Sequence, residues 1–563
     1  MRSIAFVALI VLVYGLLAFG LNLPQDVGLD VPDGKLNSLS FAPYREGQGP
    51  LEEVFPSAAE VEADIKLLAE KTHTIRTYAS AEGVMPLIPA LARKYGVDML
   101  QGAWLGGDKA VNAKEIAELI RSANANPDVV KRVIVGNEVL LRGDLTAEDL
   151  MAYIRQVQQA VKQPVSYADV WSEYMKHPQL VQEVDFVTIH ILPYWEDEPI
   201  AVDAAPAHIA KIYKQVQQEA YRRVPNIPIL IGESGWPSAG RQRGHAVPGV
   251  VNEAKFIRAL IKVANDNGFD YNIVEAFNQS WKSALEGVVG ANWGMYSVDR
   301  EEVFPLTGKV YENPEWLQQT LIAIGLFLAV FSVAFKPLQS LPAARQLGWL
   351  ILAQVLILLV VQQADFLWYT SYSPWQRLQT SVLVALNIGL GALVLLRSFK
   401  LLAEQPFKAQ WGQWLYYLLL VFAALAIYRT LGLGINGRYI SFPSIAAAVP
   451  VVGSLALVLL NYLLLKSKSW AMVEVSALTG SPQVNHKRNK LLADLLLAAG
   501  ILLPLGESEA FVVSRDFIQA YPELGERLLV AVGYTFANTQ LVTWLACVAV
   551  LALPLWLSGR SKA

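Results

Sequence analysis

The second half of the chain consists of long apolar runs, which restrict it to very few folds. Seven runs follow Trp316, near residues 317–335, 347–364, 378–396, 413–431, 440–465, 491–506 and 538–557. A helix needs about 20 apolar residues to cross a bilayer, and each run reaches or approaches that length. Lipid offers the backbone no hydrogen-bond partner, so such runs must be helical. We therefore predict an all-α, multi-span transmembrane domain of about seven helices over residues 316–563.

A further apolar run lies at the start of the chain. Residues 4–23 are apolar and follow Arg2, which is typical of a transmembrane anchor over residues 1–23. The alternative is a cleaved signal, because Ala18-Phe19-Gly20 fits a small-x-small cleavage site. In either case the segment that follows is carried across the membrane. Residues 24–35, rich in Pro and Gly, are predicted to be a linker.

Lys and Arg residues are distributed unequally between the loops on the two sides of the predicted spans. This inequality indicates the orientation of the chain in the membrane. One set of loops holds Lys336, Arg345, Arg397, Lys400, Lys408, Lys466, Lys468, Lys487, Arg488, Lys490, Arg560 and Lys562. The other set holds only Arg377, Arg429, Arg438, Arg515 and Arg527. Lys and Arg favour the cytoplasmic side. Eight spans then put both termini in the cytoplasm and residues 36–315 in the periplasm of a multi-pass protein of the inner (plasma) membrane.

Residues 36–315 alternate between short apolar runs and helical patterns. Candidate strands lie at 36–42, 74–78, 97–102, 132–136, 164–168, 184–190, 227–231 and 271–277. Eight strand–helix repeats in about 280 residues are the size of a (β/α)8 TIM barrel, an α/β fold. In that fold the strand ends and their loops meet at one face, where catalytic groups lie.

Two of these strands end in a glycine that is soon followed by an acid. The segments are Val135-Gly136-Asn137-Glu138 and Ile231-Gly232-Glu233. Two carboxylates at the mouth of a barrel suit a glycosidase, which needs one acid and one nucleophile or base. The alternative is that both are surface residues at strand ends. For catalysis the two must differ in protonation at one pH, so we expect a protonated Glu138 and an ionised Glu233.

The strings VGNEV and GESGWPS resemble the two signature segments of glycoside hydrolase family 17, the β-1,3-glucanases and glucanosyltransferases. The resemblance covers roughly residues 36–315 and implies a retaining catalytic domain on a (β/α)8 barrel. It implies that Glu138 is the acid/base and Glu233 the nucleophile. It further implies that Asn137 holds the sugar 2-hydroxyl and that Tyr194, after strand six, hydrogen-bonds the nucleophile.

Other side chains that follow predicted strands are candidates for binding substrate. The aromatic ones are Trp104, Trp171, Trp195, Trp236 and Trp281. Aromatic rings stack on sugar rings, although core packing is the ordinary role of a buried Trp, and we expect about three of the five to contact sugar. The polar ones are Arg76, Tyr78, Asp169, His190, Gln279 and Lys282. Arg76 could steady the nucleophile's charge and His190 competes with Tyr194 for the same space, while ordinary rim ion pairs are the alternative.

Several function classes are disfavoured by composition. A net charge of −3 argues against nucleic acid as a partner. The six His are scattered, without a His-x-x-x-His pair, and Cys547 is the single cysteine, so we expect no metal and no cofactor. The marks of synthases that use nucleotide sugars are missing from the sequence, so a synthetic role would have to run by transglycosylation.

Together these features predict a retaining glycoside hydrolase or transglycosylase that acts on β-1,3-glucan in periplasmic glucan synthesis or remodelling. Its partners would be β-glucan oligosaccharide or polysaccharide, the lipid bilayer and, as a candidate, a glucan synthase. On the resemblance alone, the product could include β-1,6 links. The alternative is a membrane transporter for glucan or sugar, with a barrel that binds glucan without cleaving it.

Overall fold

A computed structural model describes residues 2–464 and 469–560. The chain divides into two compact units, one of residues 24–312 and the other of residues 1–23 and 313–563. Lys466, Lys468 and Lys562 of the charge pattern lie outside the described residues.

The first unit is a closed barrel of eight parallel strands in chain order. The strands are β1 (Leu36–Ser40), β2 (Thr72–Arg76), β3 (Asp98–Ala103), β4 (Val130–Asn137), β5 (Val165–Val170), β6 (Val187–His190), β7 (Ile229–Ser234) and β8 (Asp270–Ile273). The pair Leu39–Ile273 closes the ring between β1 and β8. The predicted (β/α)8 barrel is confirmed.

Helices cover the outside of the strands. After α1 (Arg2–Leu21) in the other unit, they are α2 (Ala58–Leu68), α3 (Ile88–Tyr95), α4 (Lys109–Ala125), α5 (Ala147–Gln158), α6 (Trp171–Lys176), α7 (Ala205–Arg223), α8 (Val250–Asn267) and α9 (Ser283–Ala291). Two of these helices begin at a capping residue. Ser57 and Glu60 form a capping box at the start of α2, and the Thr146 hydroxyl accepts from the Asp149 N–H at the start of α5. A separate cluster of buried apolar side chains consists of Leu100, Ile134, Ala168, Phe186 and Leu230.

Residues 24–35 pack against the barrel. Gln25 and Val310 exchange backbone hydrogen bonds of 2.7 and 2.9 Å. Val27 and Val31 are buried, and the Arg258 guanidinium lies 3.2 Å from Asp30. The stretch therefore has a fixed place on the barrel surface, which its Pro and Gly content did not indicate.

The second unit is helical. After α1 it contains α10 (Trp316–Leu338), α11 (Ala343–Tyr369), α12 (Pro374–Leu402), α13 (Ala409–Asn436), α14 (Ala448–Leu464), α15 (Val475–Thr479), α16 (His486–Val512), α17 (Arg515–Ala520), α18 (Leu524–Ala537) and α19 (Thr539–Arg560). Of the described helices, seven are long and apolar enough to cross a membrane: α1, α10, α11, α12, α13, α16 and α19.

The helix α14 is the exception among the predicted spans. The apolar run begins at residue 440, but the helix begins only at Ala448, and 17 of its residues are described. Residues 440–443 have no regular structure and residues 444–447 form a turn. Pro443 disfavours the helical conformation at the residue before it, so the helix starts later than hydrophobicity predicts.

Replacement of Val31 by Ala should lower the free energy of unfolding of residues 24–312 by about 2 kcal/mol, because two buried methyl groups are lost. Leu29→Ala is the matched control, since Leu29 is 69% exposed, and should change it by less than about 0.5 kcal/mol. Urea unfolding of the fragment measures both values. Equal effects would show that residues 24–35 do not pack on the barrel in solution.

Candidate active site

Glu138 and Glu233 lie together at the mouth of the barrel. Glu138 directly follows β4, and Glu233 lies at the end of β7. One carboxylate oxygen from each, and one ring nitrogen of His190, all lie within 4.8 Å of one another. The carboxyl groups of retaining glycosidases are about 5–5.5 Å apart, whereas inverting enzymes need a wider gap for water. The separation therefore suits direct attack on the sugar by one of the two.

The structure requires a glycine before each of these acids, for a different reason in each case. Gly136 has φ +87°, and a Cβ there would lie 2.9 Å from the Val139 side chain. Gly232 makes room for a neighbour, because a Cβ there would lie 2.4 Å from Thr188 and 3.3 Å from the His190 ring. Each glycine thus lets the chain place an acid at the mouth without a clash.

His190, at the end of β6, lies between the two acids. Its Nδ1 is 2.8 Å from a Glu138 oxygen and its Nε2 is 3.6 Å from a Glu233 oxygen. Its side chain is fully buried. These three groups have the donor types of a metal site, but Arg76 and Lys282 put positive charge beside Glu233 and oppose a bound cation.

Arg76, at the end of β2, holds the Glu233 side of the site. Its guanidinium donates to Glu233 at 3.0 Å, to the Gly232 carbonyl at 2.7 Å and to the Asn137 Oδ1 at 2.6 Å. Only 1% of the Arg76 side chain is exposed. One buried cation therefore fixes both the predicted nucleophile and the residue before the predicted acid.

These surroundings favour the ionised form of Glu233. Burial on its own would raise the pKa of Glu233, but the charges of His190 and Arg76, a hydrogen bond with Tyr78 and the charge of Lys282 outweigh it and lower that pKa. The Tyr78 hydroxyl also lies 2.9 Å from the Ser40 Oγ. An ionised carboxylate is what nucleophilic attack on a sugar requires.

Two further acids near the site were not predicted. Glu275 accepts from Lys282 at 2.7 Å, and burial raises the pKa of Glu275 to about 6, with the Lys282 charge opposing. Burial also raises the pKa of Glu286, with the charges of Glu138 and Glu233 adding to the effect. The sequence placed Glu275 inside a strand over 271–277, but β8 ends at Ile273. A charged residue in a predicted buried strand was the available signal.

Tyr194 occupies a different position from the one that the resemblance implied. Its hydroxyl donates to the Arg241 carbonyl, and its ring packs edge-on against Trp195, Trp236 and Trp293. Tyr78, which follows β2, is the tyrosine near Glu233: it contributes to the lowered pKa of that carboxyl, while its hydroxyl donates to the Ser40 Oγ.

Three other candidates are buried rather than open to the cleft. The Trp236 side chain is fully buried and donates to the Val247 carbonyl at 2.9 Å. The buried Gln279 amide donates to the Ala42 and Phe277 carbonyls. Asp169 is also fully buried, and burial raises its pKa to about 7, opposed by a hydrogen bond from Tyr167.

The other aromatic candidates keep accessible surface. Trp104 is 41% exposed, and the Arg142 guanidinium lies over its ring at 4.5 Å. Trp171, Trp195 and Trp281 are half-buried against the barrel core. Four of the five tryptophans therefore keep surface that a sugar could contact.

Comparison with known proteins shows what this barrel is similar to. The model of the BtgE/BtgC glycoside hydrolase domain matches residues 38–294. A glucan 1,3-β-glucosidase of Arthroderma benhamiae is 29% identical over 274 residues, which are 46% of this chain and 87% of that protein. A glucan 1,3-β-glucosidase of Schizosaccharomyces pombe is 29% identical over 250 residues, 42% of this chain and 77% of that protein.

Among solved structures, an active-site mutant of the Rhizomucor miehei β-1,3-glucanosyltransferase in complex with laminaritriose is 27% identical, with a TM-score of 0.42 over 47% of this chain and 94% of that one. The family model and the sequence relatives confirm the resemblance carried by VGNEV and GESGWPS. The barrel is therefore similar to glycoside hydrolase domains, among them proteins named as glucan 1,3-β-glucosidases.

Replacement of Arg76 by Gln removes a buried positive charge beside Glu233. The pKa of Glu233 should rise, because its ionised form loses a partner, so the acidic limb of kcat/KM against pH should move to higher pH. A charge-assisted hydrogen bond contributes about 1.5–3 kcal/mol, so activity at the acidic end should fall roughly 10- to 100-fold.

Arg76→Lys keeps the charge and is the matched control, with a smaller displacement of the acidic limb. The profile on β-1,3-gluco-oligosaccharides gives both results. An Arg76→Gln profile that superimposes on that of the unchanged protein would contradict the role of this charge.

Proposed function

We propose that the barrel cleaves β-1,3-glucan with retention of configuration, through a covalent glycosyl ester on Glu233. The observation that carries the proposal is a pair of carboxylates within 4.8 Å in which Glu233 alone is held by a buried arginine. The curated relatives support the substrate class, because they are named glucan 1,3-β-glucosidases.

The reaction assigns a different task to each carboxylate. A Glu233 oxygen attacks the anomeric carbon while the glycosidic C–O bond breaks, and the Glu138 proton moves to the leaving oxygen. Glu138 then takes a proton from the incoming acceptor, whose oxygen displaces Glu233. Water as acceptor gives hydrolysis, and a glucan hydroxyl gives transfer. His190 supports this exchange as a hydrogen-bond partner of Glu138, and its other ring nitrogen lies 3.6 Å from a Glu233 oxygen.

The other contacts to substrate follow from the groups left available. The Asn137 Oδ1 accepts from Arg76, so its amide N–H groups are the part that can bind the sugar 2-hydroxyl. Trp104, Trp171, Trp195 and Trp281 supply faces on which sugar rings stack. Lys282 carries a positive charge toward Glu233 and can reach a hydroxyl from the same side.

We further propose that the protein is anchored in the inner membrane with the barrel in the periplasm. Seven helices have the required length and composition, and α14 completes the eight spans that the charge pattern needs. A glycosidase tethered to a membrane is suited to remodelling glucan as it emerges from a synthase partner. Transfer onto a glucan 6-hydroxyl would give β-1,6 links.

Replacement of Glu138 or Glu233 by Gln in residues 24–312 should abolish the processing of β-1,3-gluco-oligosaccharides. Loss of a general acid alone costs about 10²- to 10⁴-fold. Glu118→Gln, on the outer helix α4, is the matched control and should leave the rate unchanged. Product chromatography follows the reaction, and unchanged protein that transfers gives products longer than the substrate.

Processing by the Glu138→Gln, Glu233→Gln double variant would contradict the site. If unchanged protein binds these sugars but does not process them, the barrel is a binding module and the transporter interpretation gains.

The orientation predicts which introduced cysteines an impermeant maleimide reaches in intact cells. Glu523→Cys, before α18, should be labelled, whereas Gln405→Cys, between α12 and α13, should be labelled only after permeabilisation. The native Cys547 is buried and gives little background. Labelling of Gln405→Cys but not Glu523→Cys in intact cells would show the opposite orientation.

A further inference from the structure

The turn that carries Glu138 has a backbone conformation that its surroundings must enforce. Glu138 has φ +54°, in the left-handed region that residues other than glycine seldom adopt. Such a conformation is unfavourable for a residue with a side chain and persists where neighbouring contacts hold it. The Glu138 N–H donates to the Ala168 carbonyl of β5 at 2.8 Å, which fixes the start of the turn.

Two side chains of β5 fix the next part of the turn. The Leu140 N–H donates to the Tyr167 hydroxyl at 3.0 Å, and the Leu141 N–H donates to the Asp169 Oδ2 at 3.3 Å. The Tyr167 hydroxyl in turn donates to the same Asp169 oxygen. The other oxygen, Oδ1, accepts from the Val170 N–H at 2.8 Å. Both carboxylate oxygens of Asp169 are thus occupied by the chain around it.

These two side chains have no access to a sugar. Tyr167 and Asp169 are alternate residues of one strand and both are fully buried. Within reach of the Asp169 charge are Glu138, His190, Tyr167 and Tyr174. Burial of a carboxylate without hydrogen-bond partners is costly. Asp169 can be buried because it accepts hydrogen bonds from two backbone N–H groups and from the Tyr167 phenol.

We propose that Tyr167 and Asp169 form a clasp, defined as these two side chains and the turn N–H groups they accept from, that positions Glu138 for proton transfer. They are positioning residues and act through Glu138. This inference rests on the proposed function, because it takes Glu138 to be the acid/base. It assigns Asp169 a task beneath the cleft in place of contact with substrate.

The proposal predicts a dependence on the leaving group. A glucan leaving group needs a proton from Glu138, whereas dinitrophenolate departs without one. Since kcat/KM reports the first irreversible step, misplacement of Glu138 should lower kcat/KM for laminaritetraose far more than for a 2,4-dinitrophenyl β-laminaribioside. A general loss of packing would lower kcat/KM for both substrates by the same factor.

The test compares Tyr167→Phe, Asp169→Asn and Tyr174→Phe in the full-length protein. Tyr174→Phe is the matched control, because its buried hydroxyl donates to the Tyr167 carbonyl at 2.6 Å and not to the turn. Tyr167→Phe should lower kcat/KM for laminaritetraose about 10- to 100-fold and for the aryl substrate by less than about threefold. Asp169→Asn should show the same split, and Tyr174→Phe should show none.

Glu138→Ala serves as the reference for the size of the split, by which we mean a larger loss of kcat/KM for laminaritetraose than for the aryl substrate. If Glu138→Ala shows the split and Tyr167→Phe and Asp169→Asn do not, the clasp is overturned while the proposed function stands. Equal losses on both substrates for Tyr167→Phe also overturn it, since that is the signature of packing. If Glu138→Ala itself shows no split, the acid assignment fails and the clasp fails with it.

Discussion

The buried ion pair between Arg76 and Glu233 is the interaction on which the rest of the site depends. The Arg76 side chain is 1% exposed and that of Glu233 is 11% exposed, with 3.0 Å between guanidinium nitrogen and carboxylate oxygen. A buried charge without a partner is strongly destabilising, so each residue requires the other. The same guanidinium binds Asn137, next to Glu138. The Arg76 cation therefore contacts Glu233 directly and reaches Glu138 only through the neighbouring residue, Asn137.

The barrel makes this pair available through its closed order of strands. Arg76, Glu138, His190 and Glu233 come from the ends of β2, β4, β6 and β7, which parallel closure brings to one face. No two of them lie closer than 40 residues in sequence, so the site exists only in the folded barrel. Gly232 removes a Cβ that would clash with β6, which lets the His190 ring lie against Glu233.

The sequence was informative where a local pattern of residues determines the local structure. The strand–glycine–acid segments predicted that Glu138 and Glu233 lie together at the barrel mouth. The apolar runs predicted both the barrel strands and the long helices. It failed where the answer depends on how side chains pack in three dimensions. Tyr78 and Tyr194 both follow strands, but only the fold places Tyr78 where it lowers the pKa of Glu233 and turns the Tyr194 hydroxyl to the Arg241 carbonyl. Trp236 shares its position after a strand with Trp104, but one is fully buried and the other 41% exposed.

The central claim is that Glu233, whose pKa is lowered by His190 and Arg76, becomes covalently bonded to the sugar. A 2-deoxy-2-fluoro β-laminaribiosyl fluoride slows the release of such an intermediate, so mass spectrometry of the digested protein tests the claim directly. The account predicts one added glycosyl group, on the peptide that contains Glu233. A label on another residue, or turnover of glucan with inversion and no trapped ester, would contradict it.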